Sequence, residues 1–193
     1  MTQFHQELLR WQQAAKADAA GNLASIINVY CTFLAQHGIK LHRVNLALTT
    51  LHPQIQALRY VWYDDNVDVG AFPAKNLFFR QVHRFDRCTV DEAHMIYGAK
   101  NSPQFKQSPF HLLAQGAPAV SYPLAPGETY EFPVLNDLAA QGATHYYATN
   151  VPCRDRMADT SVWSANKRMA SHCRRSSVSR VPCRLWACCS TAH

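Results

Sequence analysis

Glycine is scarce in this chain and stops early. There are seven in 193 residues, the last is Gly142, and none follows. From Val151 to His193 there is also no Phe, Tyr or Ile, and a single Leu, so this stretch has little with which to build a core. Long apolar runs are missing as well. Ala19–Ile39 lacks Asp, Glu, Lys and Arg, yet Gly21, Asn22, Ser25, Asn28, Thr32, Gln36, His37 and Gly38 make it too polar for hydrocarbon. The first twenty residues hold charges throughout and no apolar h-region, so no secretory signal is read there. Only Cys31 and Cys88 precede Val151, which suits a reducing compartment rather than a disulfide scaffold. A soluble, cytoplasmic protein with no membrane partner is expected.

Catalytic signatures are absent too. There is no G-x-S-x-G, no P-loop and no G-x-G-x-x-G. Ten histidines are present, but none at H-E-x-x-H or H-x-x-x-H spacing. Asp64, Asp65 and Asp68 lack the glycine placement and distal glutamate of a calcium loop, and read as a solvated turn. Cys88, near Arg84, Asp86 and Arg87, is a reactive thiol only if a base accompanies it, and the sequence places none. No catalytic residue, metal ligand or cofactor is assigned.

What is present centres on Leu41–Tyr63, LHRVNLALTTLHPQIQALRYVWY. Val44, Leu46, Leu48 and Thr50 alternate with Arg43, Asn45, Ala47, Thr49 and Leu51, the period of a strand with one buried face. His52-Pro53-Gln54 reads as a turn. The chain then returns with Leu58, Tyr60 and Trp62 against Arg59, Val61 and Tyr63. This is a β-hairpin whose aromatics suit a pleated surface.

Around it, Thr2–Ala20 reads as a helix with a stripe of Phe4, Leu8, Trp11 and Ala15, laid either on its own domain or on a second subunit. Asn22 is an N-cap and Gly38 a stop for a helix whose apolar face is Leu23, Ile26, Ile27, Tyr30 and Leu34. Leu77–Val82 suggests a strand, and Asp91–Tyr97 a strand or a helical turn. Ser108-Pro109 opens a helix ending at Gly116. Pro118–Leu124 reads as a strand, Phe132-Pro133 opens a further helix, and Thr144–Asn150 is a final strand. The pattern is α+β: a single mostly antiparallel sheet with helices packed on one side. Tyr60, Trp62, Tyr122 and Tyr146, with Arg43 and His145, are candidates to line a small-molecule pocket; the competing reading makes the aromatics core.

Three blocks, LHRVNLALTTLHPQ at Leu41–Gln54, SPFHLL at Ser108–Leu113 and FPVLNDLAAQGATHYYAT at Phe132–Thr149, together resemble the N-terminal region of rhizobial-type class III adenylate/guanylate cyclases of proteobacteria. The resemblance covers roughly Gly21–Pro152. It implies a GAF- or PAS-like sensory domain at 21–152, preceded by the helix at 1–20, in cytosolic signalling through cyclic AMP. The family's cyclase domain has no counterpart here, so nothing catalytic is carried over and the chain reads as a non-catalytic regulatory fragment. A homodimer through the N-terminal helix and an unidentified small-molecule ligand are the implied partners.

Beyond Pro152 the family's last strand and closing helix are expected to be missing. Residues 153–193 form a basic tail rich in Cys, Arg and Ser. The whole net charge of +6 lies after Asn150, with eight Lys/Arg against two Asp. The composition suggests a shifted reading frame and a disordered tail. A basic nucleic-acid-binding arm is the alternative function. The spacing of Cys173, Cys183, Cys188 and Cys189 fits no standard zinc pattern.

Overall fold

The computed structural model describes residues 3–18, 22–64, 77–152 and 158–165. They form a seven-stranded sheet in the order β3-β4-β2-β1-β7-β6-β5, with every pairing antiparallel. The strands are β1 (Leu41–Thr49), β2 (Ile55–Asp64), β3 (Leu77–Arg84), β4 (Cys88–Ile96), β5 (Ala119–Pro123), β6 (His145–Pro152) and β7 (Ala158–Ala165). The helices are α1 (Gln3–Asp18), α2 (Leu23–Gln36), α3 (Pro103–Lys106), α4 (Pro109–Ala114) and α5 (Pro133–Ala140).

The β1–β2 hairpin has the inward face that its alternation implies. Val44 pairs with Trp62, Leu46 with Tyr60 and Leu48 with Leu58. All but the half-buried Leu58 are buried. Such burial is worth about 1.5–3 kcal/mol for each large apolar side chain. Onto this face packs α2, contributing Ala24, Ile27, Cys31, Phe33 and Leu34. Asn22 caps α2 by accepting from the Ala24 N–H at 3.0 Å. At the other end Gly38, at φ +81°, lets the N–H groups of Gly38 and Ile39 turn back onto Ala35 and Leu34.

The stripe on α1 is taken up within the chain. Leu8 is buried in the first core, Phe4 lies 5.8 Å from Phe33 and Trp11 lies 5.3 Å from Tyr30 between ring centroids. The side chain of Ala15 lies outside the described residues. Because α1 covers the outer side of α2 and the sheet its inner side, Phe33 is buried although it lies off the single apolar stripe read from the sequence.

Two expectations are corrected. Helices were expected on one side of the sheet, but they pack on both. Tyr146 pairs with Ser164, which pairs with Arg43; Ala148 pairs with Val162, which pairs with Asn45. Tyr146 and Ala148 therefore share the face of Arg43 and Asn45, opposite to that of Val44 and Leu46. A second core sits there, with Leu113, Val120, Leu135, Leu138 and Tyr146 under α4 and α5. The central strands are consequently buried on both faces: Val61 and Ala93 are fully covered, and Asn45 is 6% exposed.

The second correction concerns the tail. A last strand was expected to be missing after Pro152, with disorder throughout 153–193. Instead β7 lies between β1 and β6, hydrogen-bonded to both. Its sequence, ADTSVWSA, contains Thr160, Val162 and Trp163, residue types suited to a strand. Averaging composition over 43 residues concealed it. The rest of the tail lies outside the described residues.

Candidate functional site

The six residues expected to line one pocket divide between the two faces. Tyr60 and Trp62 belong to the first core beneath α2. There the Trp62 Nε1–H donates to Asn28 Oδ1 at 3.3 Å, and the Tyr60 hydroxyl to Glu92 Oε1 at 3.1 Å. His145 shares that face near the β5 edge, where its Nε2 lies 3.0 Å from Ser121 Oγ. Arg43, Tyr122 and Tyr146 lie on the second face. A pocket holding all six is excluded, because alternate strand residues point away from each other.

The second face carries the richer chemistry. Around Arg43 the hairpin places Asn45, Arg59, Val61 and Tyr63 on the same side, and β4 adds Asp91. Arg59 Nε donates to Asn45 Oδ1 at 3.3 Å. Burial brings the Arg59 pKa down to about 10, and the positive charge of Arg43 lowers it further than the carboxylate of Asp91 raises it. Arg43 is lowered by burial as well, against the opposing influence of Tyr146 and Asp137. These guanidiniums sit where water screens them poorly and within range of each other's field. Arg80, reaching in from β3, grips the fully buried Asp91 with Nε at 3.0 Å and Nη2 at 2.5 Å from its oxygens. That fork-like contact satisfies a carboxylate that would otherwise be costly to bury.

At the β6 side of this face stands Tyr146, 2% exposed. Its hydroxyl is buried and has no hydrogen-bond partner among the described residues. Burial raises its pKa, while the charge of Arg43 works to lower it. The phenol is therefore held neutral, with a proton to donate and the field of Arg43 upon it. Tyr122 lies 6.5 Å away between ring centroids and sends its hydroxyl to Glu131 at 3.0 Å, so it stands at the rim.

A second polar cluster occupies the first face, where β2, β3 and β4 meet. Glu92 Oε2 lies 3.0 Å from His83 Nε2, and Glu92 Oε1 lies 2.9 Å from His94 Nε2. Burial pushes the Glu92 pKa upward, but hydrogen bonds from His94, His83 and Tyr60 outweigh it and leave the pKa below the usual value. Among the described residues no group of three or more His, Cys, Asp and Glu side chains is placed to hold a metal. Cys88, considered above as a reactive thiol, is buried and donates to Asn28 Oδ1 at 2.7 Å, in a packing role.

Arg59, Asn45, Asp91 and Arg80 were not among the residues singled out from sequence. The signal for the first two was present: in the hairpin alternation they fall on the same side as Arg43. Alternation alone does not single them out, because polar residues at that period normally mark the outer surface of a sheet. Comparison of the chain with family models, with curated proteins and with solved structures returns no match. No described helix is long and apolar enough to cross a membrane.

Proposed function

We propose that this chain is a non-catalytic sensory or regulatory domain that binds a small molecule on the second face of its sheet. One observation carries the reading. Half-buried Arg43 and Arg59 and buried Tyr146 bring cationic and hydroxyl groups to one face, in an arrangement that suits recognition of a ligand. On that face the described residues pair no nucleophile with an adjacent base; the Ser121–His145 contact lies on the opposite face. An antiparallel sheet with packed helices supports the reading as a GAF/PAS-like sensory region, which the sequence resemblance implies. In that reading the chain acts in cytosolic cyclic-nucleotide signalling, as a counterpart of the region preceding a cyclase domain. A homodimer through α1 belongs to the same proposal. Because Phe4, Leu8 and Trp11 pack within the chain, such a dimer would use the outward side of that helix.

The test has two arms. The purified chain with ATP and Mg²⁺ or Mn²⁺ is expected to form no cyclic AMP above a boiled control. In a thermal-shift screen of small metabolites, at least one compound is expected to raise the melting temperature of the wild type and not of an Arg43→Gln/Arg59→Gln variant. Cyclic AMP turnover, or a screen in which no compound distinguishes the two proteins, would overturn the reading. Salt-dependent binding of single-stranded nucleic acid that is lost on removal of residues 166–193 would favour the basic-arm alternative.

A further inference from the structure

We propose that β3 is a docking edge for a second copy of this chain, joining the two sheets antiparallel about a two-fold axis at Gln81. This inference is separate from the ligand-sensing reading and from the contact through α1. β3 and β5 are the two edge strands of the sheet, and they are finished differently. β5 has five residues, follows Pro118 and ends at Pro123, so it offers a second strand little to pair with. β3 has eight residues, LFFRQVHR, and no proline. Its Phe78, Phe79 and Val82 are exposed, Phe78 to 59%. Large apolar side chains on a proline-free edge are what an unpaired strand normally avoids. A projecting charge is a usual guard of such an edge, yet the Arg80 side chain is turned across the sheet onto Asp91.

The backbone fixes how a second strand docks. Where the chain turns from β3 into β4, the Phe85 N–H donates to the Cys88 carbonyl at 2.9 Å. Hydrogen-bonded and non-hydrogen-bonded pairs alternate along an antiparallel ladder. His83 and Gln81, opposite Val90 and Glu92, therefore bond to β4. Val82 and Arg84, opposite Asp91 and Thr89, turn their N–H and C=O toward the open side. Two antiparallel copies related by a two-fold axis place one residue opposite itself at the centre. Centring on Arg80 sets Arg80 against Arg80, and centring on Val82 sets Arg80 against Arg84, like charges that oppose pairing. Centring on Gln81 sets Arg80 against Val82 and Phe79 against His83, and no like charges face each other. Val82 then lies at a hydrogen-bonded pair of the joint ladder. Phe79 packs 4.8 Å from the His94 ring and His83 Nε2 is held 3.0 Å from Glu92, so both rings of the cross-strand pair are already positioned. Such aromatic pairs stabilise a sheet.

The experiment is sedimentation velocity on the full chain, under reducing conditions and across concentrations into the high micromolar range. The expected result is a monomer–dimer equilibrium. Val82→Pro removes an N–H that points away from β4 and so keeps the β3–β4 ladder. It should raise the dimer Kd roughly tenfold or more while the chain stays folded. Val82→Lys, which sets a second positive charge against Arg80 of the other copy, should weaken the dimer as well. Gln6→Lys/Gln13→Lys, at exposed positions of α1, should leave it unchanged. Cross-linking tests the register in a full chain with Cys153, Cys173, Cys183, Cys188 and Cys189 replaced by Ser. Gln81→Cys should give a disulfide-linked dimer on mild oxidation, because residues of a non-hydrogen-bonded pair lie about 4.5 Å apart between Cα atoms. Phe79→Cys should not, since its two copies would stand roughly 13 Å apart. A chain monomeric at every concentration, or a dimer unaffected by Val82→Pro and Val82→Lys, would overturn the inference. Loss of the dimer in Gln6→Lys/Gln13→Lys alone would assign self-association to α1 instead. Cross-linking through Phe79→Cys and not Gln81→Cys would overturn the register.

Discussion

Arg59 on β2 donates its Nε–H to the Oδ1 of Asn45 on β1 at 3.3 Å, on the face of the hairpin whose alternation reads as the outer one. Asn45 is nevertheless 6% exposed. Asn45 is thus part of the interior, and the half-buried Arg59 is held against it.

The consequence can be measured with two substitutions. Asn45→Leu removes an acceptor from a half-buried guanidinium and should cost about 0.5–1.5 kcal/mol in urea unfolding. Asn45→Asp keeps an acceptor and adds a charge opposite in sign to Arg59 and Arg43, so it should fall within about 1 kcal/mol of the wild type. Equal losses for both would show that Arg59 does not depend on this contact.

A pH dependence follows from α1. His37, near the C-terminal end of α2, has its pKa raised by the hydrogen bond to Glu7, with a further contribution from the Phe33 carbonyl. A raised folded-state pKa gives stability that is fully present below the unfolded value of about 6.5. That stability is lost as the pH rises through the folded value. Thermal melts across pH 5.5 to about 8.5 should therefore show a decline toward the alkaline side. Glu7→Gln should flatten it. A decline of the same size in Glu7→Gln would assign the effect to other groups.

The hairpin was readable because its alternation and aromatics agree, and Asn22 and Gly38 marked the ends of α2 for reasons of capping and left-handed backbone. The face split was harder. Arg43, Asn45 and Arg59 have the residue types of a solvated surface, and only the placement of β7, β6 and α5 shows that their face is enclosed. The strand β4 was ambiguous for a related reason. CTVDEAHMI carries Asp91, Glu92 and His94, and it can be interior only because Arg80 and His83 on β3 bind the two acids. Such long-range pairings leave no local pattern in the sequence.

The tail offers a direct check on β7. A chain ending at Pro152 would leave the facing edges of β1 and β6 without the strand between them, exposing unpaired backbone groups of both. It should unfold at a markedly lower temperature than the full chain, or fail to fold. A chain ending at Ala165 retains β7 and should melt well above the Pro152 truncation. Indistinguishable melting of the full chain and the Pro152 truncation would mean that β7 contributes nothing.

The account turns on Arg43 and Arg59 acting together as the recognition groups of this domain. Their side-chain Nε–Hε resonances in ¹⁵N-correlated NMR spectra, assigned by Arg43→Lys and Arg59→Lys, test this most directly. Titration with the compound that raises the melting temperature should move both signals, saturating together at one Kd, and leave that of Arg84 in place. Shifts confined to other arginines, or Arg43 and Arg59 signals unmoved at saturation, would contradict it.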